Sequence, residues 1–321
     1  MSLAHELQVE VTAITRVAQQ VQRYRLQAVD GRPLPVFSGG AHVVVSLQDG
    51  EHLRRNPYSL MSDPADTTAY EISVLRVPDS RGGSRYMHDS VKVGTRLSIS
   101  QPVNLFALAQ RAQKHLFIAG GIGITPFMAM MAQLQHQSVA FELHYAMRSS
   151  AHGAYGQELL QSYSPRRIKI YRDDQSQHIG LSSLLAHQPL GTHLYVCGPG
   201  GMIDAVLGAA RAAGWPADSL HSERFVAPPV GDAFSVSLQR SGKTVPVAGH
   251  QSILEAIEAA GVEAPYLCRG GACGQCETTV ASHDGRLLHN DHYLSDPERA
   301  AGTKLMICVS RFSGTSLLLD L

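Results

Sequence analysis

Three cysteines fall within nine residues, Cys268-Arg-Gly-Gly-Ala-Cys273-Gly-Gln-Cys276, and a fourth, Cys308, follows after 31 intervening residues. This pattern restricts the fold more than any other in the chain, because a loop carrying three such thiols has to wrap closely around whatever they bind. The C-x4-C-x2-C…C spacing is that of ligands to a plant-type two-iron two-sulfur cluster. Such a cluster carries negative charge that grows on reduction, so the backbone must approach closely and aim N–H groups at the sulfurs. Gly270, Gly271 and Gly274 permit this, since glycine has no Cβ and tolerates positive φ. Structural zinc is the competing reading, but four-cysteine zinc sites pair short knuckles at both ends, whereas three ligands here crowd one loop. The chain is therefore read as an electron-transfer protein with metal ligands Cys268, Cys273, Cys276 and Cys308.

At 321 residues the chain has room for two or three domains of the usual ~100–200 residues. Lys plus Arg and Asp plus Glu both total 27, so there is no basic surplus for phosphates, and nucleic-acid binding is not expected. The opening M-S-L-A-H-E-L-Q-V-E-V has neither a basic nor an apolar leader region, and no run of about 18 apolar residues occurs. No membrane association and a cytoplasmic location are expected. Cysteines in a reducing compartment point to metal ligation rather than disulfides, and Cys197 is left over.

Short β-rich runs at Val9–Val17, Tyr24–Val29, His42–Leu47, Tyr70–Arg76 and Arg96–Ser100, separated by Gly, Pro and Asp turns, predict a small antiparallel barrel. From His115 the pattern becomes alternating β and α, which predicts a parallel sheet. The segment V-A-P-P-V-G-D, Val226–Asp232, reads as an interdomain linker. After it come a hairpin around Ser241-Gly242-Lys243, a helix over Ser252–Ala260, the cysteine loop and an apolar final strand at Ser316–Leu321, as in a β-grasp unit. His283, His289 and His292 are irregularly spaced among polar neighbours and are read as loop residues rather than a second metal site.

Two glycine turns stand at strand ends. In Ile118-Ala119-Gly120-Gly121-Ile122-Gly123-Ile124-Thr125-Pro126, Thr125 suits an N-cap and Pro126 the first helical turn, leaving Gly121 and Gly123 where a pyrophosphate could meet a helix. A turn that merely permits tight packing would look much the same. The second, Cys197-Gly198-Pro199-Gly200-Gly201, precedes a helix over Ile203–Ala213, and the pair places a ligand crevice at the carboxyl ends of the strands. Cys197 is either a small buried hydrophobe or a group lying against a nicotinamide ring.

These motifs, with Asn56-Pro57-Tyr58-Ser59-Leu60 and Arg81-Gly82-Gly83-Ser84 upstream, resemble the phthalate dioxygenase reductase family over essentially the whole chain, most of all the reductase components of carnitine monooxygenases. The resemblance implies a flavin-binding β-barrel at 1–108, an α/β NAD-binding domain at 109–226, a linker at 227–233 and a plant-type ferredoxin domain at 234–321. It also implies that FMN, NADH and a 2Fe-2S cluster are the cofactors. Tyr58 and Ser59, beside Leu60, would hold the flavin ring, Ser73, Val74 and Leu75 would flank it, and Arg81, Gly82, Gly83 and Ser84 would cradle its phosphate. Thr125 would reach the flavin, Phe225 would stack on it, and Gly198 and Pro199 would meet the nicotinamide. Many relatives carry arginine two places before the tyrosine; here Asn56 stands there, so Arg55 or Arg81 would carry the phosphate's charge.

The parts implied by the resemblance form one sequence of transfers. NADH gives up two electrons at once and the cluster takes one, so something between them must release electrons singly, which a flavin does, and no side chain need act as a catalytic acid or base. The partner implied is a Rieske-type terminal oxygenase met transiently by a monomer. Two alternatives stand beside this: a flavin reductase with a structural four-cysteine metal site, and a regulatory module on a degenerate scaffold, prompted by Asn56. Arg148-Ser149-Ser150 after a strand could meet the 2′-phosphate of NADPH, but the resemblance favours NADH.

Overall fold

Val9 and Val11 are buried two residues apart on β1 (Leu7–Ala18) while Gln8 faces solvent, the period-two pattern of a strand covered on one side. A computed structural model describes residues 6–50, 52–78, 81–226 and 229–321; Ala227 and Pro228 of the expected linker lie outside the described residues. With β1 come β2 (Val21–Ala28), β3 (Ala41–Asp49), β4 (His52–Ser59), β5 (Tyr70–Leu75), β6 (Arg96–Ile99) and β7 (Val103–Asn104), and the helix α1 (Gly83–Asp89). The strands pair antiparallel in the order β4-β3-β6-β1-β2-β5, with β7 also on β3. The Met61 N–H donates to the Glu71 carbonyl at 2.8 Å and draws the two ends of the sheet together into a barrel. Strand β4 was not anticipated, because Arg54-Arg55-Asn56-Pro57 reads as a polar break. Its register against β3 runs unbroken from His42 with Ser59 to Asp49 with His52.

The second unit contains β8 (Lys114–Gly120), α2 (Thr125–His136), β9 (Ala140–Met147), α3 (Gly156–Ser162), β10 (Ile168–Arg172), α4 (Leu181–Ala186), β11 (Thr192–Cys197), α5 (Gly200–Ala212) and β12 (Leu220–Glu223). Its sheet is parallel in the order β10-β9-β8-β11-β12, so the winding reverses between β8 and β11. Phe117, Tyr195 and Cys197 face one side and Leu116, Ile118, Leu194 and Val196 the other, and both sides are covered, as expected for parallel strands. The first side continues into Val21 and Met61 of the barrel, so these two units share an apolar core.

The third unit has β13 (Phe234–Leu238), β14 (Thr244–Val247), α6 (Ile253–Ala259), β15 (Glu277–His283), β16 (Arg286–Leu288), α7 (Asp296–Ala301), β17 (Lys304–Met306), β18 (Arg311–Ser313) and β19 (Leu317–Leu319). The final apolar segment forms β19 and inserts between β13, parallel to it, and β15, antiparallel to it. Ser252 caps α6 through a capping box with Glu255. Among the described residues, no buried member of this unit's core precedes Val236. Partly buried Val226, at the end of the second unit, packs against this core.

Candidate active site: a crevice lined by all three units

The reversal of winding between β8 and β11 opens a crevice of about 1290 Å³ at the carboxyl ends of the parallel strands, as such sheets generally do. Every unit lines it. The barrel contributes Arg55, Tyr58, Ser59, Ser73, Leu75, Arg81, Gly83 and Ser84; the parallel-sheet unit contributes Gly121, Gly123, Thr125, Gly198, Pro199 and Phe225; the third contributes Cys268, Arg269, Gly270 and Ala272.

Strand alternation decides which expected residues reach it. On β5, Ser73 and Leu75 face the crevice, whereas Val74 points into the barrel core. Leu60 is likewise a core residue, tied through its N–H to the Ala41 carbonyl at 2.8 Å. Neither side chain lines the crevice, which corrects their expected place against the flavin. Cys197 is fully buried on the Tyr195 side of β11, and burial, reinforced by the Glu223 charge, pushes its thiol pKa well up. It is the small core hydrophobe rather than a group exposed to a nicotinamide. Gly82, at φ 110°, and Pro126 also stay out of the lining; Gly82 turns the chain into α1 and Pro126 is buried in α2.

The glycine turn after β8 divides into two kinds of position. A Cβ on Gly123 would stand 2.3 Å from the Cys197 carbonyl oxygen, and one on Gly198 would stand 2.9 Å from the Gly120 Cα. These glycines let the two turns pack backbone against backbone. Gly121 is different: its φ is +54° and nothing lies within 4 Å of a Cβ there. Thr125 is not the N-cap. A 3-10 turn over Gly121–Ile124 precedes α2, and the Thr125 hydroxyl donates to the Ile122 carbonyl at 3.0 Å.

Around the barrel's loops, a side chain on Gly83 would meet the Asn56 amide oxygen at 2.5 Å, and the Val77 N–H donates to the Ser84 hydroxyl at 3.2 Å. Asn56 thus packs under the 81–84 segment, while Arg55 reaches Glu258 of α6 at 2.9 Å and Arg81 reaches Glu255 at 2.5 Å. Arg55 Nε, the Tyr58 hydroxyl and Glu223 Oε2 are buried with no protein partner, although buried polar atoms are normally paired. Burial drives the Tyr58 phenol pKa well above its ordinary value. With His42 Nε2, the Arg55, Tyr58 and Glu223 atoms make four unpartnered polar atoms on residues of one crevice, which a polar ligand seated there would satisfy.

Glu223 went unassigned in the sequence. It ends β12 in register with Cys197, lines the crevice, and has its carboxyl raised to about 8 by burial and by the Cys268 charge. No sequence pattern marked it: β12 reads Leu-His-Ser-Glu, and only its place at the carboxyl end of a parallel strand, where such sheets bind ligands, points to it.

The four expected ligands come together in two pairs, Cys268 beside Cys273 and Cys276 beside Cys308, each within hydrogen-bonding reach. Among the described residues, no three His, Cys, Asp or Glu side chains converge on a single ion position. Two pairs suit two irons better than one zinc. The Gly270 N–H donates to Cys268 Sγ at 3.4 Å, and the Ala272, Cys273, Gln275 and Gly271 amides also face the sulfurs. Gly271 and Gly274 have φ of 72° and 76°, as the close wrapping requires. His283 and His292 are exposed, but His289 is mostly enclosed beside Asp291.

Similarity to known proteins agrees with this geometry. Residues 98–220 match the model of the dimethylamine monooxygenase subunit DmmA-like N-terminal domain, and residues 236–313 match the 2Fe-2S iron-sulfur cluster binding domain. The structure of phthalate dioxygenase reductase, described as modular for electron transfer from pyridine nucleotides to 2Fe-2S, superimposes over 98% of both chains with a TM-score of 0.89 and 33% identity. The chain belongs to the phthalate dioxygenase reductase family. Among similar members, the carnitine monooxygenase reductase subunit of Escherichia coli (strain K12) is 46% identical over 100% of both chains. The heme-dependent oxidative N-demethylase beta subunit of Ectopseudomonas mendocina (strain ymp) is 47% identical over 98% of this chain and 99% of its own. Like these relatives, the chain is an oxidoreductase that serves as the reductase component of an oxygenase system, with a C-terminal 2Fe-2S domain.

Proposed function

We propose that this reductase takes a hydride from NADH onto FMN in the crevice and passes single electrons through the 2Fe-2S cluster to a Rieske-type oxygenase. The observation that carries this is that one crevice is lined by the barrel, by the parallel-sheet turns and by the Cys268 loop. A bound flavin would supply the exchange between an electron pair and single electrons. The chain's own contribution is placement. Arg55 and Arg81 would hold the phosphate, Tyr58, Ser59 and Ser73 would line the ring, and Phe225, half exposed, would cover it. Gly121 leaves open backbone for the nucleotide's pyrophosphate, and Gly198 and Pro199 border the nicotinamide position. The Arg55, Tyr58 and Glu223 atoms that lack partners support a polar cofactor at this place. The division at 1–108, 109–226, 227–233 and 234–321 goes with this assignment, as do a monomer in the cytoplasm; among the described residues no helix is long and apolar enough to cross a membrane.

The test is direct. Purified protein should show overlapping flavin and iron-sulfur absorbance bleached by NADH, iron and acid-labile sulfide in equal amounts, and an EPR signal on reduction. A colourless protein, or one with zinc and no sulfide, refutes the proposal. A second reading keeps the reductase and replaces the Rieske partner by a haem-dependent amine demethylase, supported by the N-demethylase relative and the DmmA-like match. Mixing the reduced protein with an oxygenase of each kind, and observing which is reduced, separates the two.

A further inference from the structure

The third unit has its own apolar core, and carboxylates of α6 bind it to the barrel. Glu258 Oε2 accepts from Arg55 Nη1 at 2.9 Å and from Arg269 Nη1 at 3.0 Å, while its Oε1 accepts from Arg269 Nη2. One carboxylate therefore bridges a barrel strand that lines the flavin crevice and the residue that follows ligand Cys268. The three side chains are 12%, 16% and 4% exposed for Arg55, Glu258 and Arg269, so solvent screens the bridge only weakly. Glu255 makes a parallel contact to Arg81 at 2.5 Å.

Arg269 itself shows that this contact is built in. Its φ is +52°, a conformation that favours glycine, and it occurs at a buried arginine. The guanidinium lies 3.9 Å from the Tyr266 ring centre while pairing with Glu258 along its edge. A left-handed arginine so constrained fixes the loop between Cys268 and Cys273.

We infer that Glu258 is a positioning residue for electron transfer, holding the cluster loop against the flavin barrel through Arg55 and Arg269. Arg55 turns Nη1 to Glu258, so the strand that lines the crevice is also the strand that the cluster loop is held against. This rests on the flavin lying in the crevice as proposed above. A direct consequence is that Glu258 affects the step from crevice to cluster and leaves the step from NADH into the crevice alone.

The holoprotein carrying Glu258→Gln is reduced with NADH in a stopped-flow instrument, following cluster bleaching, and separately assayed with ferricyanide as acceptor at the flavin. Expected is a cluster-reduction rate at least about tenfold lower, equivalent to about 1.4 kcal/mol in the activation free energy of that step, with ferricyanide reduction within twofold of wild type. Amide hydrogen exchange on flavin-free protein should rise at 53–58 and 266–272. Glu258→Asp keeps the charge but is too short to span both arginines, so it should fall between the two, and it decides the matter if the glutamine variant fails to load its cluster. Unchanged cluster reduction and unchanged exchange in an EPR-competent variant overturn this inference alone. Absence of NADH–ferricyanide activity in wild type overturns the flavin assignment and this inference with it.

Discussion

Replacing Gly123 by alanine separates a glycine needed for packing from one needed for a ligand. An added Cβ would stand 2.3 Å from the Cys197 carbonyl oxygen, 2.5 Å from its carbon and 2.7 Å from the Gly198 nitrogen. Ordinary contact begins at 3.4 Å, so the overlap is about 1.1 Å, and every atom met is backbone. The turns after β8 and β11 must separate. Overpacking that forces backbone shifts typically costs about 1–3 kcal/mol, and with no side chain able to yield, about 3 kcal/mol is expected. At roughly 2–4 °C per kcal/mol, flavin release on heating should occur about 6–12 °C earlier. A displacement of about 1 Å in the crevice floor should also lower NADH-dependent ferricyanide reduction by about 10²-fold. Gly121→Ala is the control: at φ +54° it has nothing within 4 Å, so only the left-handed conformation is penalised, by about 1–2 kcal/mol. Should Gly123→Ala melt like wild type with kcat within twofold, or should Gly121→Ala prove the more damaging to stability, the packing account of this turn is wrong.

Cys308→Ser removes one ligand of the Cys276–Cys308 pair, so iron and acid-labile sulfide should fall together; NADH–ferricyanide activity should persist while NADH–cytochrome c activity disappears. Tyr155→Phe removes the hydroxyl that pairs with Ser73 across the first two units. The loss of about 1 kcal/mol should weaken flavin binding about fivefold in a fluorescence titration. Glu142 is partly desolvated, which would raise its pKa, but hydrogen bonds from Lys114, Lys169 and His144 lower it to about 2. Since its folded value lies below the ordinary 4.5, its stabilisation is present above pH 4.5 and is lost as pH falls from 4.5 to 2. After solvent screening, Glu142→Gln should cost about 1–2 kcal/mol at pH 7 and almost nothing near pH 2, as read from urea unfolding at a series of pH values. Because Lys114 starts β8 at the end of the sheet away from the crevice, activity should not change.

What could be read from the sequence was what depends on neighbours along the chain. Ligand spacing, the glycines of the Cys268–Cys276 loop, the change from β runs to alternating β and α, and the apolar terminal strand are local patterns with physical causes. Errors came where a face or a partner decided the outcome. Leu60, Val74 and Cys197 stand at motif positions, but alternation along β5 and β11 and the covering of both sheet faces place their side chains in cores. Strand β4 was hidden by Arg54-Arg55-Asn56-Pro57, whose polar side chains are accommodated by Asp49, Glu258 and the packing under Gly83 rather than by a solvent-facing turn. Glu223 has no sequence motif at all and is defined by the crevice beside it.

The two ways in which the units are joined bear on how the electrons must travel. The barrel and parallel sheet share a core that includes Val21, Met61, Phe127 and Tyr195, and burying such surface at about 25 cal/mol per Å² makes a junction that salt and redox state alter little. Hydride transfer needs that constancy, because the donor and acceptor rings must be held in contact distance. The ferredoxin unit is attached with less apolar packing, through Val226 and through Glu255 and Glu258 to Arg81 and Arg55. An ionic junction this little exposed is screened only weakly by salt but fails when one of its charges is removed, and the two arginines that make it line the crevice. A rigid junction is thus placed where two electrons move together, and a releasable one where single electrons leave. The apolar joint should persist in a Glu255→Gln, Glu258→Gln double variant that undocks the cluster unit.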